Sequence, residues 1–254
     1  MLKRSGTIVV ISIGILALSP TTYALGQAGT DPQVQAVLKA LDKKQFKEVH
    51  AEVNNGVVKL TGTVPVYSNK EDADHRVHRV KGVAAVDNEI QVSGSEVDDA
   101  TLTKKLAEKL EYDRVGYGTT AFNSITVVVR NGLVTLGGTA YGPIDKDSAV
   151  SLVANYPGVK DVVDDISVDP VSPFDDQIRL AEYRTIYGFS SLNKYAVDPG
   201  KPIRITVVNG NVTLTGVVDS QADKDTANIR ANSVSGVFKV INLLQVANDR
   251  SSGK

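Results

Sequence analysis

The chain has three histidines, and two of them are spaced so that they could bind a metal ion together. His75 and His78 would project from one face of a helix, with Glu71 one turn before His75. Together these side chains make at most a partial metal site, since structural zinc takes four protein ligands and no further histidine or cysteine is near. We therefore interpret the pair as part of an exposed helix face and expect no metal and no other cofactor. His50 is expected on the outer side of a strand.

Other patterns that could do chemistry are incomplete. Four aspartates stand between residues 161 and 169, but the calcium-binding pattern Asp-x-Asp-x-Asp-Gly is absent. Gly116-Tyr117-Gly118 lacks the strand-then-helix context of a dinucleotide site. No nucleophile stands in a recognisable arrangement with a base. The sequence therefore predicts a protein that is not an enzyme.

The middle third of the chain is rich in tyrosine. A tyrosine ring can stack on a sugar or lie at a membrane interface, and scattered packing inside the fold is the ordinary alternative. These side chains support an alternative function, a carbohydrate- or peptidoglycan-binding module. The tyrosines are Tyr112, Tyr117, Tyr141 and Tyr156.

One ten-residue pattern occurs three times and defines the organisation of the chain. It opens at Asn55-Gly56, at Asn131-Gly132 and at Asn209-Gly210 and continues with alternating apolar residues up to a glycine. A second glycine follows that first one after the same interval in every copy. Three copies with constant spacing indicate tandem units of one small fold. The paired glycines are Gly62 and Gly82, Gly138 and Gly158, and Gly216 and Gly236.

Each unit reads as helix, strand, strand, helix, strand. In the middle unit, leucines at 102, 106 and 110 have helical spacing, and apolar residues at 125, 127 and 129 alternate as in a half-buried strand. The Asn-Gly pairs suit a tight hairpin, and a strand that follows a helix can pair in parallel through a right-handed crossover. We predict an α+β fold of three αββαβ units at 31–94, 98–170 and 175–246. In each, two helices cover one face of a three-stranded sheet.

Several residues are expected to begin or end these elements. Asp31, Asp98-Asp99 and Asp175-Asp176 should open the first helix of each unit. Ser68 with Glu71, and Ser220 with Asp223, should open the second helix. Of the two repeated glycines, the first should end the second strand, and the second should cap the second helix.

A polar residue recurs on the last strand of every unit. It points to the same side as the apolar residues of that strand, where its side chain needs a hydrogen-bonding partner. We expect a structural bond to turn backbone rather than contact with a ligand. The positions are Asn88, Asp164 and Asn242.

The N-terminus indicates where the protein works. Residues 1–24 have the layout of a secretory signal peptide, with Lys3 and Arg4 before an apolar run at 7–18. We expect a periplasmic protein with no permanent transmembrane segment after cleavage. The chain has no cysteine, so each unit must be stabilised by its own core. With 28 basic and 29 acidic residues, it lacks the positive charge that nucleic-acid binding requires.

The repeated residues resemble the BON domain. The resemblance rests on the Asn-Gly-x-Val-x-Leu-x-Gly core followed by a helix and by Gly-Val-x-x-Val-x-Asn/Asp at 82–88, 158–164 and 236–242. It departs at Gly137, where the other units have threonine. The resemblance implies a non-enzymatic envelope protein associated with osmotic stress, outer-membrane integrity, phospholipid binding or chaperone-like help to other envelope proteins. It brings no catalytic residues.

The most basic stretch of the mature chain belongs to the second helix of the first unit. Its cations could approach an anionic phospholipid or an envelope protein, each cation contributing about 1 kcal/mol near a membrane surface. The alternative is a solvated helix face, since acids at 71, 72 and 74 offset part of the charge. The candidate lipid contacts are His75, Arg76, His78, Arg79 and Lys81.

Overall fold

A computed structural model describes residues 31–94, 96–113, 119–170 and 172–247. The expected signal peptide and Gly116-Tyr117-Gly118 lie outside these residues. Within them, buried apolar side chains form three separate clusters. Each cluster lies between helices and one face of a sheet, so the predicted α+β fold of repeated units is confirmed.

The first unit forms two helices and a small mixed sheet. Strand β1 pairs antiparallel with β2, and β3 and β4 pair parallel with β2. Strands β3 and β4 are one strand interrupted at residues 89 and 90, which keeps the sheet three strands wide. The elements are α1 (Pro32–Ala40), a short 3-10 helix (Lys44–Phe46), β1 (Val49–Asn54), β2 (Val57–Val64), α2 (Tyr67–His78), β3 (Ala85–Asn88) and β4 (Gln91–Val92).

The second and third units repeat this topology, and each has a short α-helix before its first strand, where the first unit has the 3-10 helix. The second unit contains α3 (Asp99–Tyr112), α4 (Thr119–Phe122), β5 (Ser124–Arg130), β6 (Leu133–Ala140), α5 (Pro143–Ala154), β7 (Asp161–Asp164) and β8 (Ser167–Val168). The third contains α6 (Pro173–Tyr187), α7 (Lys194–Val197), β9 (Arg204–Val208), β10 (Asn211–Thr215), β11 (Val217–Val218), α8 (Gln221–Asn232), β12 (Lys239–Asn242) and β13 (Gln245–Val246).

The Asn-Gly pairs form the predicted hairpin turns. Asn55, Asn131 and Asn209 have φ angles of 50°, 54° and 50°, a left-handed conformation that asparagine tolerates better than most residues. In two units a carboxylate from the first helix also binds the turn. Asp99 accepts hydrogen bonds from the amides of residues 131 and 132 at 2.6 and 3.0 Å. Asp175 binds the amides of residues 209 and 210 at 2.9 and 2.8 Å.

The first repeated glycine lies inside the second strand in two of the three units. Strand β2 runs through Gly62 and β6 through Gly138, and both continue to pair beyond the glycine. A Cβ atom would lie 1.9 Å from the carbonyl oxygen of Glu48 at Gly62 and of Ser124 at Gly138, so no other residue fits there. The prediction that these glycines end the strand is therefore wrong in two units. In the third, β10 does stop before Gly216 and the strand resumes as β11.

The second repeated glycine lies beyond the helix. The C-caps of α2, α5 and α8 are Arg79, Asn155 and Ser233, and each glycine follows three residues later with a positive φ. The prediction that Gly82, Gly158 and Gly236 cap these helices is wrong. A turn follows each helix, with an amide bonded to the carbonyl three residues before it, and the sequence pattern does not separate this turn from the helix.

The predicted helix starts are partly correct. Asp31, Asp98 and Ser220 are N-caps whose side chains accept hydrogen bonds from the first helical turn. The other two differ because their helices begin earlier. Helix α6 is capped by Ser172, which leaves Asp175 for the hairpin. Helix α2 has Val66 as its N-cap without a side-chain bond, and the Ser68 hydroxyl donates to Asn155 of the second unit at 2.7 Å.

Candidate functional site

The five candidate lipid contacts lie at or just beyond the C-terminal half of α2. Ala73 and Val77 bury one side of this helix, which turns His75, His78, Arg79 and Lys81 to the exposed side. Arg76 is different. Its guanidinium pairs with Asp72 at 2.8 Å and lies 5.9 Å from the centre of the Phe46 ring. Four of the five residues are therefore available to a partner.

The charge along α2 is divided. No acidic residue stands between positions 75 and 84, whereas Glu71, Asp72 and Asp74 lie in the preceding turns. Cations at the C-terminal end of a helix also interact favourably with the helix dipole. Burial raises the pKa of Glu71, and the nearby His75 lowers it. The acids of α2 thus precede its basic end, and Asp72 pairs with Arg76.

Sequence reasoning missed a second group of cations on the same side of the first unit. The 3-10 helix packs against α2 through the contact between Phe46 and Arg76. Lys43, Lys44 and Lys47 flank Phe46 and are exposed. The cluster of lysines is visible in the sequence, but its contact with α2, thirty residues away, is not.

The recurring polar residue of the last strand is bonded to the second helix of its own unit in all three copies. The amide of Asn88 donates to the Lys70 carbonyl at 3.0 Å, and that of Asn242 donates to the Lys224 carbonyl at 2.9 Å. In each case the side-chain oxygen accepts the amide two residues later. The carboxylate of Asp164 cannot donate such a hydrogen bond. Instead it pairs at 3.0 Å with the ammonium of Lys146, which stands at the position in α5 that Lys70 has in α2.

A buried arginine joins the second and third units. Arg179 of α6 is 1% exposed, and its guanidinium binds Asp169 at 3.2 Å and the Val207 carbonyl at 2.8 Å. It also pairs with Asp176, and its guanidinium carbon lies 4.8 Å from the centre of the Tyr141 ring. Asp169 and Tyr141, two of the residues considered for calcium and for sugar, are therefore part of a structural junction.

Two of the other tyrosines converge on one cleft between the same units. Tyr112 and Tyr156 line a cavity of about 650 Å³ between α3 and the loop at 198–201. The Tyr112 hydroxyl donates to Asp198 at 3.3 Å. Acids and lysines alternate along the α3 side of this cleft. Burial raises the pKa of Glu111, and the charge of Arg204 lowers it.

Within the described ranges, no group of three or more histidine, aspartate or glutamate side chains could hold a metal ion. His50 lies exposed on β1, apart from the other two histidines. No helix in the described part of the chain is both long and apolar enough to cross a membrane.

Comparison with known proteins places the repeats in a family. The sequence profile of the BON domain matches residues 30–94, 98–170 and 189–248. Osmotically-inducible protein Y of Escherichia coli strain K12 is 25% identical over 190 residues, which cover 74% of this chain and 92% of that protein. The outer membrane lipoprotein DolP of Haemophilus influenzae is 28% identical over 162 residues, covering 64% of this chain and 81% of its own length.

A solved structure also aligns with most of the chain. It is that of CdsD, a structural protein of the type III secretion system of Chlamydia trachomatis, at 17% identity. The alignment covers 84% of this chain and 91% of that chain, with a TM-score of 0.24.

Proposed function

The chain belongs to the BON domain family, which matches it three times, and from this premise we propose that it is a non-catalytic protein of the cell envelope. One relative is named as osmotically inducible and another as an outer membrane lipoprotein. Both names support a role in envelope integrity or stress tolerance. An exported, periplasmic location agrees with this role and with the signal-like N-terminus.

The cationic end of α2 supports binding of anionic phospholipid. Arg79 and Lys81 are exposed at and just beyond the end of α2, and together with His75 and His78 they stand within seven residues that contain no acid. Lipid phosphates are attracted to such a group, and the attraction falls within a Debye length of the surface. This cluster of exposed cations is the observation that carries the proposal.

Vesicle binding tests the proposal. The variant Arg79→Glu/Lys81→Glu should bind vesicles with phosphatidylglycerol at least roughly 30-fold more weakly, because two cations worth about 1 kcal/mol each are lost and repulsion is added. Arg76 is left unchanged because it is already paired. Binding of the wild type should weaken in high salt, because salt screens the attraction between charges.

The matched control reverses two charges elsewhere. Lys160→Glu/Lys239→Glu changes the net charge equally at exposed positions of the second and third units. If both variants lost binding equally, the loss would come from the change in net charge and not from the positions of Arg79 and Lys81. If vesicle binding did not change with salt concentration, the charges at the end of α2 would not be what binds the membrane.

A second candidate function is recognition of envelope carbohydrate in the cleft between the second and third units. Its support is the convergence of Tyr112 and Tyr156 on one cavity whose rim also carries acids and lysines. An aromatic ring beside polar groups suits a sugar, which has apolar faces and a polar edge.

Pelleting with purified cell-wall sacculi tests this candidate. Tyr112 is 51% exposed, so its ring is accessible to a sugar. Tyr112→Ala removes this ring and should reduce pelleting several-fold. Tyr112→Phe, which keeps the ring, should retain most of the binding. Phe238→Ala is the control, since this ring is 76% exposed and lies outside the cleft. If Tyr112→Ala and Phe238→Ala changed pelleting equally, the cleft would be excluded as the carbohydrate-binding site.

A further inference from the structure

One buried acid has no role in the sites described above. Glu182 lies in α6 and is 0% exposed, and neither oxygen of its carboxyl group has a hydrogen-bond partner within the described chain. The corresponding residue of the second unit is a leucine. Asp99 and Asp175 make the same contact with the hairpin, and seven residues after them stand Leu106 and Glu182. The third unit thus has a buried carboxyl group where the second unit has a buried leucine.

The charged groups of α6 itself are committed elsewhere or exposed. Arg179, one turn before Glu182, binds Asp169, Asp176 and the Val207 carbonyl. The Tyr187 hydroxyl, one turn after it, donates to the Ile203 carbonyl at 2.6 Å. The Tyr183 ring packs edge-to-face with those of Phe122 and Tyr187, and Arg184 lies exposed on the far side of the helix.

The elements packed against α6 also leave Glu182 unpaired. On β9, the charge of Arg204 lowers the pKa of Glu111 in the neighbouring cleft. On α8, Arg230 donates to the Thr185 carbonyl and lies over the Phe189 ring, while Asp223 accepts from both Lys194 and Tyr195 of α7. An unpaired carboxylate in an apolar core is far costlier than the neutral acid, so Glu182 keeps its proton in the folded protein.

The consequence for stability has a definite sign. Burial raises the pKa of Glu182 from 4.5 to about 8. Below about pH 4.5 the carboxyl is protonated whether α6 is folded or not, and its neutral form is compatible with the core. As the pH rises towards 8, the unfolded state releases the proton and the folded state retains it. The equilibrium therefore shifts towards opening, at most about tenfold per pH unit.

The position of Glu182 connects this effect to the junction between units. It stands on the same helix as Arg179, one turn away, and both lie on the buried face. We propose that Glu182 is a proton-dependent switch: its neutral form keeps α6 seated in the third unit and bound to Asp169 of the second, and its ionisation releases α6 and loosens the junction.

Hydrogen exchange on the full chain tests this proposal. Exchange is measured by mass spectrometry at pH 6.0 and pH 8.0 and corrected for the intrinsic pH dependence of exchange. The opening constant for peptides from α6 should rise by up to about 100-fold between these values in the wild type. It should stay nearly constant in Glu182→Leu and in Glu182→Gln, whose side chains cannot ionise. Peptides from α1 and α2 provide an internal control.

Glu111→Gln is the matched variant, because it removes a half-buried acid of the cleft and leaves α6 intact. Its α6 should keep the pH dependence of the wild type. The proposal is overturned if α6 responds to pH equally in the wild type and in Glu182→Gln. If both Glu182 variants fail to fold, a carboxyl-carbon NMR titration of the wild type decides. A midpoint near that of a solvated glutamate overturns the proposal, and one above pH 7 supports it.

Discussion

Replacing Arg179 with methionine is expected to cost about 3–5 kcal/mol in the free energy of unfolding of the third unit and to weaken its attachment to the second. The guanidinium is buried and pairs with Asp169, which is itself 5% exposed. Removing the cation leaves this carboxylate buried without its partner, and it also strips the Val207 carbonyl of a hydrogen bond. Denaturant unfolding of the full chain measures the loss.

A double-mutant cycle separates the pair from the general effect of substitution. Arg179→Met/Asp169→Asn should be less destabilised than the sum of the two single variants, because the second change removes the carboxylate left alone by the first. Arg184→Met provides the control, since this arginine is exposed on the same helix. If Arg179→Met and Arg184→Met unfold at the same denaturant concentration, the buried pair contributes nothing to stability.

Phe122→Ala is expected to cost about 3–5 kcal/mol, and the loss should fall on the third unit although the residue belongs to the second. Phe122 is 4% exposed, and together with Ala121 it packs within the apolar cluster of the third unit. Helix α4 contacts β9, and the Phe122 ring lies 5.8 Å from that of Tyr183. Hydrogen exchange resolved by unit measures where protection is lost.

Phe46→Ala is the matched variant for this prediction. Phe46 is 2% exposed and also comes from a short helical segment before a first strand, but it packs inside its own unit. Its loss should be of similar size and confined to the first unit. If Phe122→Ala destabilises only the second unit, the contact between α4 and the third core is not stabilising.

Short-range patterns in the sequence predicted the units and their topology. The Asn-Gly turns and the alternation of apolar residues are local signals, and each is repeated three times. The lack of cysteine led us to expect that each unit is stabilised by its own core. The structure differs at the second junction, because α4, which precedes β5, places Phe122 in the core of the third unit.

The junction could not be derived from the sequence because its contacts are between distant residues of ordinary type. Arg179 reaches back ten residues to Asp169 and forward to the Val207 carbonyl. Nothing in the local pattern distinguishes it from a surface arginine. Glu182 is similar, since a single acid on a helix reads as exposed. The second helices also end earlier than the sequence predicts. In the first unit the turn after α2 continues the helical spacing of Ala73 and Val77 to Val80, so the pattern does not reveal the end.

The hairpins have a consequence for how the protein ages. Asparagine followed by glycine deamidates when the glycine nitrogen attacks the asparagine side chain and closes a five-membered ring. The aspartates at 99 and 175 hold the nitrogens of Gly132 and Gly210, which hinders this attack. In the described chain the nitrogen of Gly56 has no such partner, so chemical damage should begin at Asn55. The new carboxylate would add a negative charge directly before Gly56, whose carbonyl accepts a hydrogen bond from the amide of Ala84, three residues after Lys81.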